Sequence, residues 1–130
     1  MRVRHAGRLS WVNVVDVAFS ATRASNWDAQ RTPVGDRNGD GKTEFARVDA
    51  IWRETAPLWK DAARYAAHSV AYHSKNVGIA YPYSHMSAIE GEDIMGGGME
   101  YPMMTLIGPY NGRGTEALYS VISHEIAHMW

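Results

Sequence analysis

The sequence has 130 residues, the size of one domain or of a piece of one. Thirteen Lys and Arg against fourteen Asp and Glu leave a formal charge of -1, which excludes a general electrostatic grip on nucleic acid or an anionic membrane, and a hydrophobic content of 45% excludes a disordered chain. With no cysteine, disulfides and thiolate metal sites are also excluded, so any metal must be held by His and carboxylates.

No apolar run approaches the ~18 residues of a membrane span, and the start Met1-Arg2-Val3-Arg4-His5-Ala6-Gly7 lacks the apolar core of a signal peptide. In chain order, Trp11 to Thr22 is rich in β-branched and aromatic residues and predicts a first strand. Asn26–Val34 and Thr43–Trp52 flank the turn-forming stretch Asp36 to Gly41 and predict a hairpin. Ala56 to about Asn76 carries a helical stripe of Leu58, Ala62, Tyr65, Ala66, Val70 and Tyr72, with Pro57 in the first turn and Gly78 as a stop. A second strand pair follows, Tyr83–Ile89 and Met99–Ile107, joined by an acidic glycine-containing link. After the loop Gly108 to Gly114, Thr115 is the expected N-cap of a last helix, with Glu116 favoured by the helix dipole. This order implies an α+β layer with the helices on one sheet, and no linker divides it.

The last helix contains His124-Glu125-Ile126-Ala127-His128. Positions four apart share a helical face, so both imidazoles reach one metal ion at roughly 2.0–2.1 Å. Glu125 points about 100° away, placed to take a proton from a metal-activated water rather than to ligate. In a chain of this composition the pattern is expected by chance about 0.014 times. The plainer alternative is a surface helix whose histidines do nothing; Leu118, Val121, Ile122 and Ile126 argue instead for a helix packed on one side.

Gly96-Gly97-Gly98-Met99-Glu100-Tyr101-Pro102 precedes that helix. Consecutive glycines expose backbone groups, so an edge strand here can pair with an extended peptide, and Glu100 can meet its ammonium group. The alternative is a tight bend beside a surface glutamate.

Gly97-Gly98-Met99-Glu100-Tyr101 resembles the G-x-M-E-N motif of zinc aminopeptidases related to aminopeptidase N, and His124 to His128 with Met129-Trp130 resembles that gluzincin family's H-E-x-x-H-x-W, in the same order and at a similar separation. The run Asn13 to Phe19 is similar to a strand that precedes the catalytic domain in bacterial relatives. The resemblance implies a truncated α+β fold: a thermolysin-like (zincin) N-terminal lobe with a mixed sheet whose edge strand lies above the active-site helix. It implies a single partial domain over residues 1–130, with 1–10 as the end of an upstream β domain. It also implies Zn2+ held by His124 and His128, Glu125 as general base, and peptide substrates with a free N-terminus bound by Glu100, Gly97, Gly98 and Met99. Tyr101 stands where the motif has Asn. The family's third zinc ligand, a Glu on a later helix, and its oxyanion Tyr do not fall within these residues. The expected activity, a metallopeptidase removing N-terminal residues, therefore requires the remainder of the catalytic domain, and this chain alone is expected to bind zinc weakly and be inactive.

Two other functions stay open. A thermolysin-like endopeptidase would not need Glu100. A non-catalytic calcium module would use Asp36-Arg37-Asn38-Gly39-Asp40-Gly41-Lys42-Thr43-Glu44, which begins like a calcium loop but has Arg47 at the twelfth position, where a bidentate Glu belongs. Glu90, Glu92 and Asp93 read as a solvated acidic link, His68 and His73 as helix-surface or packing residues, and Trp52, Trp59, Tyr65 and Tyr72 as core aromatics.

Overall fold

The computed structural model describes residues 18–22, 24, 26–94 and 97–130. Strands β1 (Asn26–Gly35) and β2 (Glu44–Trp52) form the expected antiparallel hairpin, in register from Asn26 opposite Trp52 to Gly35 opposite Glu44. Pro33 cannot donate to a ladder, and it sits in a strand with a free edge, beside the register irregularity between Pro33 and Gly35. A 3-10 turn at Pro57–Asp61 leads into helix α1 (Ala62–Val77), which ends on Gly78 with φ 74°, a left-handed cap that glycine adopts without steric cost. Strands β3 (His85–Glu90), β4 (Gly98–Tyr101) and β5 (Met104–Ile107) follow, then helix α2 (Gly114–Ala127).

The five strands make one mixed sheet in the order β1-β2-β3-β5-β4. β2, β3 and β5 run parallel, while β1 and β4 pair antiparallel at the two edges. A parallel β2–β3 pair needs a crossover, and α1 provides it. Alternation along β2 sends Ala46, Val48 and Ala50 to one face, where they meet Met86, Ala88 and Ile107 from the neighbouring strands. Trp59, Ala62, Ala63, Ala66 and Val70 from the first helical segment and Leu118, Ile122 and Ile126 from α2 close the same core. Both helices thus lie on one side of the sheet, as the element order implies. The alanines on β2 and α1 leave room for Trp59, which is wholly buried.

Several expectations need correction. Most of the first predicted strand, Trp11 to Thr22, lies outside the described residues, and residues 18–22 carry no strand. Met99–Ile107 is two strands, because the chain reverses at Pro102-Met103, where Met103 takes φ 62°. The partner of β3 is therefore β5, and β4 is carried outward to the edge. Thr115 lies inside α2; Arg113 occupies the N-cap position and makes no side-chain cap. Tyr72 is 52% exposed rather than core. Glu90 is not a solvated residue: its side chain is fully buried and held by Arg53, which also reaches Glu92 at 2.9 Å. No helix among the described residues is long and apolar enough to cross a membrane.

Candidate metal centre

Helix α2 buries Leu118, Ile122 and Ile126 against the sheet. That stripe fixes the rotation of the helix about its axis, so His124 and His128 face outward and Glu125 faces the edge strand. His128 is the C-cap residue, beyond the last regular turn. The end of the chain is fastened by Trp130, whose indole N–H donates to the Ile79 carbonyl at 2.8 Å and whose ring meets those of His73 and Tyr81. About two turns earlier, His73 on α1 is hydrogen-bonded to the Ser123 hydroxyl at 3.0 Å, immediately before His124. His68 likewise bonds Tyr119. These histidines tie the two helices together, which decides for packing over plain surface exposure.

The Nε2 atoms of His124 and His128 are 3.3 Å apart. Two nitrogens each about 2.0–2.1 Å from a tetrahedral ion are separated by about that distance, so the spacing of the pair fits one shared metal. Glu125 is 5% exposed, and its Oε2 is buried without a hydrogen-bond partner among the described residues. A carboxylate in that position is costly unless something positive or a donor completes it. Among the described residues, His124, Glu125 and His128 are the one group of three side chains gathered closely enough to hold an ion. The donor set and the orphaned oxygen both fit Zn2+. Burial pushes the Glu125 carboxyl above the usual carboxylate range; the charge of His124 works against that shift and the charge of Glu100 adds to it.

Strand β4 runs across this helix. Gly98 and Glu100 face α2, and by alternation Met99 and Tyr101 face the opposite side of the sheet. Gly98 rests on Glu125: a Cβ there would overlap the carboxylate and lie 2.7 Å from its Cδ. Glu100 Oε1 is 4.0 Å from His128 Nδ1, on the ring edge opposite the paired Nε2 atoms. Gly98, Glu100, His124, Glu125 and His128 therefore converge, Gly97 adjoins them, and Met99 joins through its backbone while its side chain is 39% exposed on the far face. As the edge strand among the described residues, β4 leaves one row of backbone groups unpaired within the sheet.

The loop considered for calcium is a hairpin tip whose carboxylates are already engaged. Asp36 accepts backbone N–H groups from Gly39 at 2.6 Å and Gly41 at 2.7 Å, and Asp40 meets Lys42.

No protein-family model matches the sequence, and no curated protein matches it. Among solved structures, the chain is similar to Legionella pneumophila aminopeptidase A, determined in complex with aspartic acid, with a TM-score of 0.57 and 14% identity over 79% of this chain and 13% of that one. It is also similar to a variant of a two-domain M1 zinc metallopeptidase bound to L-arginine, with a TM-score of 0.50 and 15% identity over 80% of this chain and 22% of that one. At such identities the likeness is one of fold, and this chain spans a minor part of either protein's length.

Proposed function

We propose that this chain is the amino-proximal part of the catalytic domain of a zinc aminopeptidase related to aminopeptidase N, built as a thermolysin-like lobe with its edge strand over the active-site helix. The observation that carries the reading is the placement of Glu100 on the helix-facing side of β4, 4.0 Å from the outer nitrogen of His128. A recognition carboxylate and a metal pair so close together limit how much peptide can lie between them.

His124 and His128 would hold the ion through their Nε2 atoms, and a third ligand would come from the longer protein's remainder. When bound, zinc polarises water and the scissile carbonyl. Each remaining task falls to a residue of this chain. The free edge of β4 pairs with an extended peptide backbone, and glycine at 97 and 98 keeps side chains out of the way. Glu100 receives the substrate's α-ammonium group in a charge-assisted hydrogen bond, which sets the register so that the first peptide bond meets the metal pair. Glu125, whose raised affinity for a proton suits a general base, accepts one from the attacking water and delivers it to the leaving amine. The partners implied are peptides with a free N-terminus.

The test uses the zinc-loaded longer protein that carries this chain, with matched dipeptide amides bearing a free or an acetylated N-terminus. Cleavage restricted to the free-amine substrate, with KM raised about tenfold or more in Glu100→Ala, is the expected result. Equal cleavage of the acetylated substrate and of internal bonds, indifferent to Glu100→Ala, would replace this reading with an endopeptidase.

A further inference from the structure

We propose that Tyr110 is a positioning residue for the peptide-binding edge: its ring, held by a left-handed backbone, wedges against Gly97 and fixes where the edge begins. The inference rests on the aminopeptidase reading for its functional consequence, while its structural content stands separately.

Four observations meet at this residue. Tyr110 takes φ 57°, a conformation rare for a bulky side chain and retained only where the surroundings demand it. Its hydroxyl occupies the space that a side chain at position 97 would fill, since a Cβ on Gly97 would come within 2.5 Å of the oxygen and 3.4 Å of Cζ. Gly97 itself takes φ 94°, so glycine is required there twice over, for backbone and for space. The Gly108 amide donates to the Gly97 carbonyl at 3.1 Å, which lets the loop carrying Tyr110 continue the β4–β5 ladder by one further bond.

The loop is rigidly mounted. The Trp59 indole N–H donates to the Gly108 carbonyl at 3.3 Å from within the core. Asn111 Nδ2 donates to the Thr55 carbonyl at 2.6 Å, and the Arg113 guanidinium lies 5.5 Å from the centre of the Tyr110 ring. A continuous set of contacts therefore runs from a buried tryptophan through Gly108 and Tyr110 to Gly97. Gly97 is braced by the phenol and Gly98 by Glu125, so the two glycines of the edge have set positions relative to the general base. A ring that only filled space would not require a strained backbone opposite a glycine that is itself in the left-handed region.

Tyr110 touches no reacting atom in this scheme; it acts through the backbone it supports. The test compares Tyr110→Ala and Tyr110→Phe in the zinc-loaded longer protein, with Tyr110→Leu in reserve should the alanine variant not fold. In Tyr110→Ala, amide hydrogen exchange of the peptide covering 97–101 should quicken about tenfold while α2 stays protected, and Tyr110→Phe should restore protection. For free-amine dipeptides KM should rise about fivefold or more with kcat within about twofold, again restored by phenylalanine. Unchanged exchange at 97–101 would overturn the proposal, as would kcat and KM worsening together with a general loss of protection. Absence of aminopeptidase turnover in the unaltered protein would sink the functional reading alone, and the exchange measurement would still decide the place of Tyr110.

Discussion

Gly98 and Glu125 are in direct contact across the candidate site, the carboxylate lying where any side chain at position 98 would be. The backbone at Gly98 does not need a positive φ, so the requirement for glycine is purely one of space. Gly98→Ala should push Glu125 or the edge strand aside. Displacements of about 1 Å in a catalytic constellation cost on the order of a hundredfold in rate, and a loss of that size in kcat/KM is expected in the intact protein with zinc content preserved. Unaltered kcat/KM in Gly98→Ala would rule out a part for this contact in the proposed chemistry.

The approach of His124 to His128 was legible in the sequence because its geometry is local: four residues of regular helix suffice to bring their Nε2 atoms to 3.3 Å. The glycine run with Glu100 was legible for the same reason, since strand alternation puts Gly98 and Glu100 on one face. What sequence could not supply was contact between distant segments. Arg53 and Glu90 are 37 positions apart and meet because β2 and β3 run parallel with Ile51 opposite Ile89, which carries both charged residues to the same end of the sheet. The signal available was slight, since Glu90 directly follows Ile89 and merges in sequence with the acidic link of Glu92 and Asp93. The break at Pro102-Met103 did carry a local sign, since a proline cannot donate to a ladder and interrupts a strand, but the left-handed backbone of Met103 that completes the reversal did not. Tyr110 gave no sign, since a left-handed tyrosine is imposed by its neighbours.

The Arg53–Glu90 pair is expected to be costly when half removed. Arg53 donates to both Glu90 carboxylate oxygens and reaches Glu92 as well, and Glu90 has no exposed side-chain surface. Arg53→Met leaves a buried carboxylate without a counter-charge, which should lower the melting temperature by roughly 10 °C or more. Arg53→Met combined with Glu90→Met should recover much of that loss, because the double change removes the stranded charge. Melting curves of the two single variants and the double variant give the coupling directly; strictly additive losses would mean that the pair is not the source of the stability.

Asp36 organises the hairpin tip, and its contribution should depend on pH in a definite direction. The Gly41 amide, with those of Gly39, Asp40 and Asn38, holds the Asp36 carboxyl below the usual value of 3.8. A group depressed on folding stabilises fully above its unfolded pKa and ceases to do so as pH falls through the lower, folded value. Asp36→Asn should therefore melt lower than the native chain at pH 7, by about one to three degrees given the exposure of the turn, and the gap should close below pH 3.8. A gap that persists unchanged to pH 2 would contradict this account.

Glu125 should show the opposite pH dependence. Burial raises its pKa above 4.5, so in the metal-free chain its neutral form is the better tolerated one. Stability linked to such a group is fully present below the unfolded pKa and declines as pH rises through the folded one, because the ionised carboxylate then sits buried with Oε2 unpartnered. Glu125→Gln keeps the shape and removes the charge. Without metal it should melt a few degrees above the native chain at pH 7, with the difference vanishing as pH falls below 4.5. The same substitution should reduce peptidase turnover of the intact, zinc-loaded protein by about 10²–10⁴-fold, because an amide cannot accept the proton from water. A stability gain together with an activity loss would mark Glu125 as a residue retained for chemistry at the expense of the fold; a stability loss in Glu125→Gln at neutral pH would instead mean that the carboxylate finds a partner within the metal-free protein.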